Sequence, residues 1–223
     1  DGHTDGTCWI LISDQTLPDA TLSDLKVSAT EIMAEDSAEI TLTVCNDGAA
    51  VVPELTKVFV YLDDTGTKLA TFYTQEELAV GGKVTMTKKV KFPNLTGEHK
   101  VYAVVNEEKA VKELVYSNNT SEFAAVKMLP KFTATVMTDK STYLAGDTIV
   151  ISGQVAGDVP AGSFVEVYVI NNGIRYTLEA TTDEDGKFKK EWMAYSNMAG
   201  HFNIGACYPD EKLESSQVSF DIY

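Results

Sequence analysis

Ile40-Thr41-Leu42-Thr43-Val44-Cys45-Asn46-Asp47-Gly48 is the stretch that decides the fold class. Ile40, Leu42 and Val44 alternate with Thr41, Thr43 and Cys45, and the run stops at an Asn-Asp-Gly cluster. Successive side chains of a strand point to opposite faces, so this period of two marks a strand buried on one side. Asn, Asp and Gly tolerate the left-handed backbone of a turn, which is why they end it. The same signature recurs along the chain, and helical periodicity is nearly absent.

Working outward, Val58, Val60 and Leu62 alternate with Phe59 and Tyr61, and Val101, Ala103 and Val105 repeat the pattern. Val84, Met86, Val90 and Phe92 do the same, except that Lys88 falls on the apolar parity, where a bulge would account for it. With runs at 25–32, 68–74 and 122–128 the first half holds about seven strands. The second half repeats that number at 132–138, 148–155, 164–170, 175–182, 188–194, 201–208 and 217–223. Asn171-Asn172-Gly173 suits a tight type I′ hairpin, and Asp183-Glu184-Asp185-Gly186 a tight turn.

Seven short strands in about 100 residues is the pattern of an immunoglobulin-like sandwich. The expectation is an all-β chain of two tandem immunoglobulin-like β-sandwich domains with an N-terminal extra strand. The boundaries are a tail at 1–18, one sandwich at 19–127 and a second at 128–223. Pro130, which has no N–H to give a ladder, stiffens the junction at Lys127-Met128-Leu129-Pro130-Lys131.

Charge excludes whole classes of partner. The 223 residues carry 33 acidic and 18 basic side chains, a net charge of −15, and Arg175 is the single arginine. Residues 19–127 and 131–223 each contribute −6 and the first 18 contribute −3, so neither half is a basic module. Phosphate backbones are bound mainly through Lys and Arg, so no nucleic-acid partner is expected. No stretch of about 18 apolar residues exists to insert into a membrane. Trp9-Ile10-Leu11-Ile12 is too short for the apolar core of a signal peptide.

Two stretches resemble known families. Asp24-Leu25-Lys26-Val27, Thr43-Val44-Cys45-Asn46-Asp47-Gly48, Gly97 to Val105 and Val111-Lys112-Glu113-Leu114-Val115-Tyr116-Ser117-Asn118-Asn119 are similar to the CARDB family, adhesion-related sandwich domains of prokaryotic surface proteins. The Glu followed by paired Asn is its most specific element, and Asn106 stands where the family usually has an acid. Thr138 to Gly153, with Thr182 to Phe188 and Ala199-Gly200-His201-Phe202, resembles prokaryotic surface Ig-like domains of the macroglobulin type. The resemblance implies an extracellular or cell-surface location and a non-enzymatic role. Physically, Glu113 and Asn118-Asn119 read as loop-bracing hydrogen-bond formers, and Tyr143 as an aromatic anchor before the Gly146-Asp147 turn.

Local chemistry is sparse. His3, His99 and His201 lack zinc-ligand spacing to one another or to a cysteine, and no nucleophile elbow or phosphate loop is present. No catalytic residue and no cofactor is expected. Asp183 and Asp185 are calcium candidates, set against the plainer reading of a solvated acidic turn, since calcium takes about six to eight oxygens. Asn94, Asn118 and Asn119 fit the N-glycosylation sequon. Parity turns Cys45 and Cys207 away from the main cores; they fall in different sandwiches, so Cys8 is the mobile partner for either, set against the plainer reading of three reduced cysteines.

Both resemblances begin after Asp19, so Thr7-Cys8-Trp9-Ile10-Leu11-Ile12-Ser13 is a strand-like run without a domain. Three readings stand: the last strand of a preceding domain, an extra strand on the first sandwich, or a donor strand completing a neighbouring subunit. In the last, Cys8, Trp9, Ile10, Leu11 and Ile12 form an interface. The expected role is a structural or adhesive surface module whose partners are other copies of itself or neighbouring domains. An accessory carbohydrate- or protein-binding region of a secreted glycan-active enzyme is the alternative. That needs an exposed aromatic row, for which Tyr61, Tyr73, Tyr102 and Tyr168 are available.

Overall fold

The computed structural model describes residues 16–63, 66–157, 159–193, 195, 197–209, 211 and 216–223. Among these there is no helix, and every element of the two compact units is a strand. Compactness groups residues 29–38, 91–99 and 125–223 into one unit, and the other described residues into the second. Nothing among the described residues is a helix long and apolar enough to cross a membrane.

The first set of sheets uses β1 (Ala20–Val27), β2 (Glu31–Met33), β3 (Ser37–Asn46), β4 (Lys57–Leu62), β5 (Thr67–Tyr73), β6 (Lys83–Lys91), β7 (Gly97–Val105) and β8 (Ala124–Leu129). They form a three-stranded sheet, β1-β3-β6, and a five-stranded sheet, β2-β8-β7-β4-β5. The alternation in the quoted stretch is used directly: Ile40, Leu42 and Val44 are fully buried, as are Val58, Val60, Val101, Ala103 and Val105. The run read as one strand at 25–32 is two. Asp24 has a left-handed φ of 54° beside a register shift, and after Ser28–Thr30 the chain resumes as β2, parallel to β8 in the other sheet.

The second set contains β9 (Thr133–Thr138), β10 (Thr142–Tyr143), β11 (Thr148–Ala156), β12 (Phe164–Asn171), β13 (Ile174–Thr181), β14 (Lys187–Met193), β15 (Gly200–Cys207) and β16 (Val218–Ile222). Their sheets are β14-β11-β9 and β10-β16-β15-β12-β13. Ile149, Ile151, Val165, Val167, Val169 and Ile204 are fully buried between them. The β12–β13 hairpin turns where expected: Asn172 has φ 49° and Gly173 φ 77°, the left-handed pair of a type I′ turn. Tyr143 is 2% exposed, meets the Phe220 ring edge-on at 5.5 Å and hydrogen-bonds Asp139. The two-residue β10 that carries it, parallel to β16, is too short to leave a periodic signal.

Candidate functional site

The specific sequence element of the first half is a bracing network. Glu113 is 3% exposed; its Oε1 accepts from the Ala20 N–H at 3.1 Å and its Oε2 from Asn119 Nδ2 at 2.6 Å. Asn119 Nδ2 also donates to the Val105 carbonyl, and Asn118 Nδ2 donates to the Asp19 carboxylate. Asn46, fully buried, donates to the Ala50 and Leu78 carbonyls and accepts from the Gly48 N–H. Asn106, in the left-handed region at φ 49°, bonds both backbone groups of Val111. These side chains satisfy backbone groups of β1, of β7, of the connection after β7 at Val111 and of the turns at Gly48–Ala50 and Leu78. This is the structural use expected of Glu113 and the paired Asn.

The three sequon asparagines are differently placed. Asn119 is 4% exposed with its Nδ2 engaged twice inside the fold, so the folded chain offers no nitrogen there for a glycan. Asn118 Nδ2 is held by Asp19, while Asn94 is half-buried with its Oδ1 unpartnered.

One carboxylate oxygen of each calcium candidate is engaged by the chain itself. Asp183 Oδ1 accepts the N–H groups of Asp185 and Lys187, each at 2.9 Å, and Asp185 Oδ2 lies 3.2 Å from Lys187 Nζ. The acidic turn is thus an Asx turn with an ion pair on top. No group of three or more His, Cys, Asp or Glu suited to a metal occurs among the described residues.

Cys45 and Cys207 point to the outer faces, as parity says, but are covered: they are 4% and 1% exposed, and both are free thiols. Cys45 lies 3.6 Å from Ser23 Oγ. Over Cys207 the reason is a second layer on the outer face of β12, β13 and β15. Tyr168 lies flat on Gly205, the Arg175 guanidinium sits 4.4 Å from that ring, and Arg175 pairs with Glu166, which is opposite Cys207. Burial pushes the Cys207 thiol up to about 12, with the Glu166 charge adding to it. The sequence signal was available in the small residue at 205 opposite Tyr168, but only once the register is known.

The tyrosines do not form one platform. Tyr168 is fully buried, and Tyr61 is 8% exposed, stacked on half-buried Tyr102 at 5.4 Å between centroids. Tyr61 donates to Glu107, and desolvation followed by that carboxylate pushes its hydroxyl up to about 12. Lys68 Nζ sits 3.6 Å from the centre of the neighbouring Phe59 ring. Only Tyr73 of the four is exposed.

Sequence reasoning missed the open side between edge strands β5 and β6. A groove of about 330 Å³ runs there, lined by Phe72, Tyr73 and Met86 together with polar Thr71, Gln75, Thr87 and Lys88. Lys88, expected to mark a bulge, lies in an unbroken register: Thr85 and Thr87 face Thr43 and Thr41, and Gly82 and Phe92 bond Asn46 and Asp36. Its parity is inward, and its Nζ crosses the open side to the Thr71 carbonyl at 3.1 Å. An inward-pointing lysine on an edge is a known way to discourage uncontrolled strand addition. Cys8, Trp9, Ile10, Leu11 and Ile12 lie outside the described residues.

No curated protein matches the chain. A CARDB domain from Pyrococcus furiosus, solved in complex with di-metal ions, is 28% identical over 51% of this chain and 94% of its own, with a TM-score of 0.42. The adhesin InvE of Yersinia pseudotuberculosis is 17% identical over 93% of this chain and 61% of its own, TM-score 0.42. The D0–D1 domain of intimin is 18% identical over 92% of this chain and 100% of its own, TM-score 0.31. The CARDB family model matches residues 17–123, the stretch that carries the Glu113–Asn119 brace, so the N-terminal half of the chain is CARDB-like.

Proposed function

We propose that the chain is a non-enzymatic structural and adhesive module of a prokaryotic extracellular or cell-surface protein, and that copies join through the strand-like run at residues 7–13. The observation that carries the module reading is the CARDB match over 17–123, an adhesion-type domain family by resemblance. Joining by strand addition is supported by composition. Trp9-Ile10-Leu11-Ile12 is apolar and β-prone, and it is flanked by Gly6 and Asp14, which suit a strand end rather than a core. The acidic surface suits a soluble module that does not associate unspecifically.

Electron microscopy and size-exclusion chromatography of the full chain test this against a Trp9→Asp, Leu11→Asp variant. The expected result is polymers from the native chain and monomers from the variant. Equal polymers from both would remove residues 7–13 from the interface. Monomers from both at all concentrations would overturn self-assembly.

A further inference from the structure

We infer that the acceptor for that N-terminal run is the open side of the first sandwich in a second copy, where β6 receives residues 5–14 as an added strand. This rests on the donor-strand reading above and assigns it a site. In a chain of net −15, the nine residues Lys83–Lys91 of β6 hold Lys83, Lys88, Lys89 and Lys91 and no acid. Lys83 and Lys89 have no carboxylate partner among the described residues, while Lys91 reaches Glu35 only at 3.8 Å. A row of lysines repels a second β6, which excludes edge-to-edge pairing of like strands. The same row attracts an acidic strand.

Residues 5–14 have the matching character. Asp5 and Asp14 bracket the uncharged Gly6–Ser13, nine positions apart, and β6 is nine residues long with lysines at both ends. Either strand direction therefore places an aspartate near each lysine-bearing end. β6 is the edge of a three-stranded sheet, so its outer backbone groups have no strand neighbour among the described residues, and it lies beside the shorter β5 edge of the facing sheet. Between them the Phe72–Tyr73–Met86 groove gives apolar side chains of an added strand a place to go. Tyr73 is 43% exposed and Met86 half-buried, so the groove has apolar surface left to cover. Lys88 is the gate: its bond to the Thr71 carbonyl must be exchanged for one to the incoming strand. The occupant is residues 5–14 of another copy, and ordinary edge protection by lysine is the competing account.

Cysteine trapping in the full chain separates the two. Cys8 lies within the donor run, and the described thiols Cys45 and Cys207 are buried, so neither competes. Thr85→Cys and Thr87→Cys each place a thiol on exposed positions of β6, and Thr135→Cys and Thr177→Cys do so on the edges β9 and β13. Under mild copper–phenanthroline oxidation, the β6 variants are expected to give a ladder of intermolecular Cys8 disulfides and the controls none. A second series uses charge. Lys83→Glu, Lys89→Glu, Lys91→Glu is expected to raise the concentration needed for assembly by about tenfold or more, and adding Asp5→Lys and Asp14→Lys to restore it. Circular dichroism checks that each variant is folded. Ladders of equal yield from all four sites, or charge reversal without effect while the Trp9, Leu11 variant still abolishes polymers, would overturn this acceptor and leave the donor strand standing. Absence of any polymer from the native chain would overturn both.

Discussion

Asn119 Nδ2 lies 2.6 Å from Glu113 Oε2, and both side chains are almost wholly buried in the connection that follows β7. The carboxylate is surrounded by donors only, the Ala20 N–H on one oxygen and the Asn119 amide on the other. A carboxylate accepts at both oxygens, whereas an amide must present an NH₂ on one side. Glu113→Gln therefore keeps size and shape but sets donor against donor. It is expected to cost about 1–3 kcal/mol, the penalty of leaving a buried donor unmatched. Urea unfolding of the native and variant chains measures it, and coincident midpoints would show that the carboxylate is not needed.

Gly205 is a glycine for reasons of space. A Cβ there would stand 2.1 Å from the Tyr168 ring, which lies flat on the strand under Arg175. Gly205→Ala is expected to destabilise by about 1–3 kcal/mol, as overpacked sites do. Replacing the ring as well, in Gly205→Ala, Tyr168→Val, should make the two costs less than additive. A double-mutant cycle by thermal unfolding reads that coupling, and strict additivity would mean that the contact is not what excludes a side chain.

The all-β architecture was legible because Ile40, Leu42, Val44 and their counterparts write period two directly into the sequence. What stayed hidden depended on facts that period cannot carry. The left-handed Asp24 makes a bulge inside β1, the change of sheet falls at Ser28–Thr30, and β10 is two residues long. Outward parity at Cys45 and Cys207 was read correctly, yet both are covered. Exposure on an outer face depends on which neighbours reach over it, as Arg175 and Tyr168 do beside Cys207. Lys88 broke the alternation for the same kind of reason: it answers to the facing sheet, not to its own strand. The Glu113–Asn119 motif was visible, but that it holds the Asn119 amide inside the fold needed the hydrogen bonds.

The Tyr143–Asp139 pair gives the unit that holds residues 125–223 a pH dependence with two limbs. Tyr143 Oη donates to Asp139 Oδ1 at 2.7 Å and accepts from the Lys140 N–H. Its hydrogen bond from Tyr143 holds the Asp139 carboxyl below its ordinary value, and burial, then the carboxylate, raise Tyr143 to about 12. A lowered acid contributes stability that is present above about pH 4 and lost as pH falls through the lowered value. A raised phenol contributes stability that is present below about pH 10 and lost as pH climbs towards its native value. Tyr143→Phe keeps the ring against Phe220 and is expected to cost about 0.5–1.5 kcal/mol near neutral pH. Its stability–pH curve should be flatter at both ends. Thermal unfolding across pH measures this, and an unchanged alkaline limb would assign that limb to other groups.

Cys207 is expected to be nearly inert in the folded chain. The thiolate is the reactive form, and a thiol raised to about 12 is ionised in roughly one molecule in 10⁴ at about pH 8. Burial to 1% exposure then blocks the reagent as well. The same shift makes stability fall as pH rises above about 9, because the unfolded thiol ionises before the native one does. Neither Cys207 nor buried Cys45 should take up Ellman's reagent over minutes in the native state, and both should react at once in strong guanidinium. Peptide mapping by mass spectrometry identifies the labelled thiols. Rapid native labelling of Cys207 would show that the layer of Tyr168, Arg175 and Glu166 opens readily, and that its ion pair is a loose cover rather than part of the folded sheet.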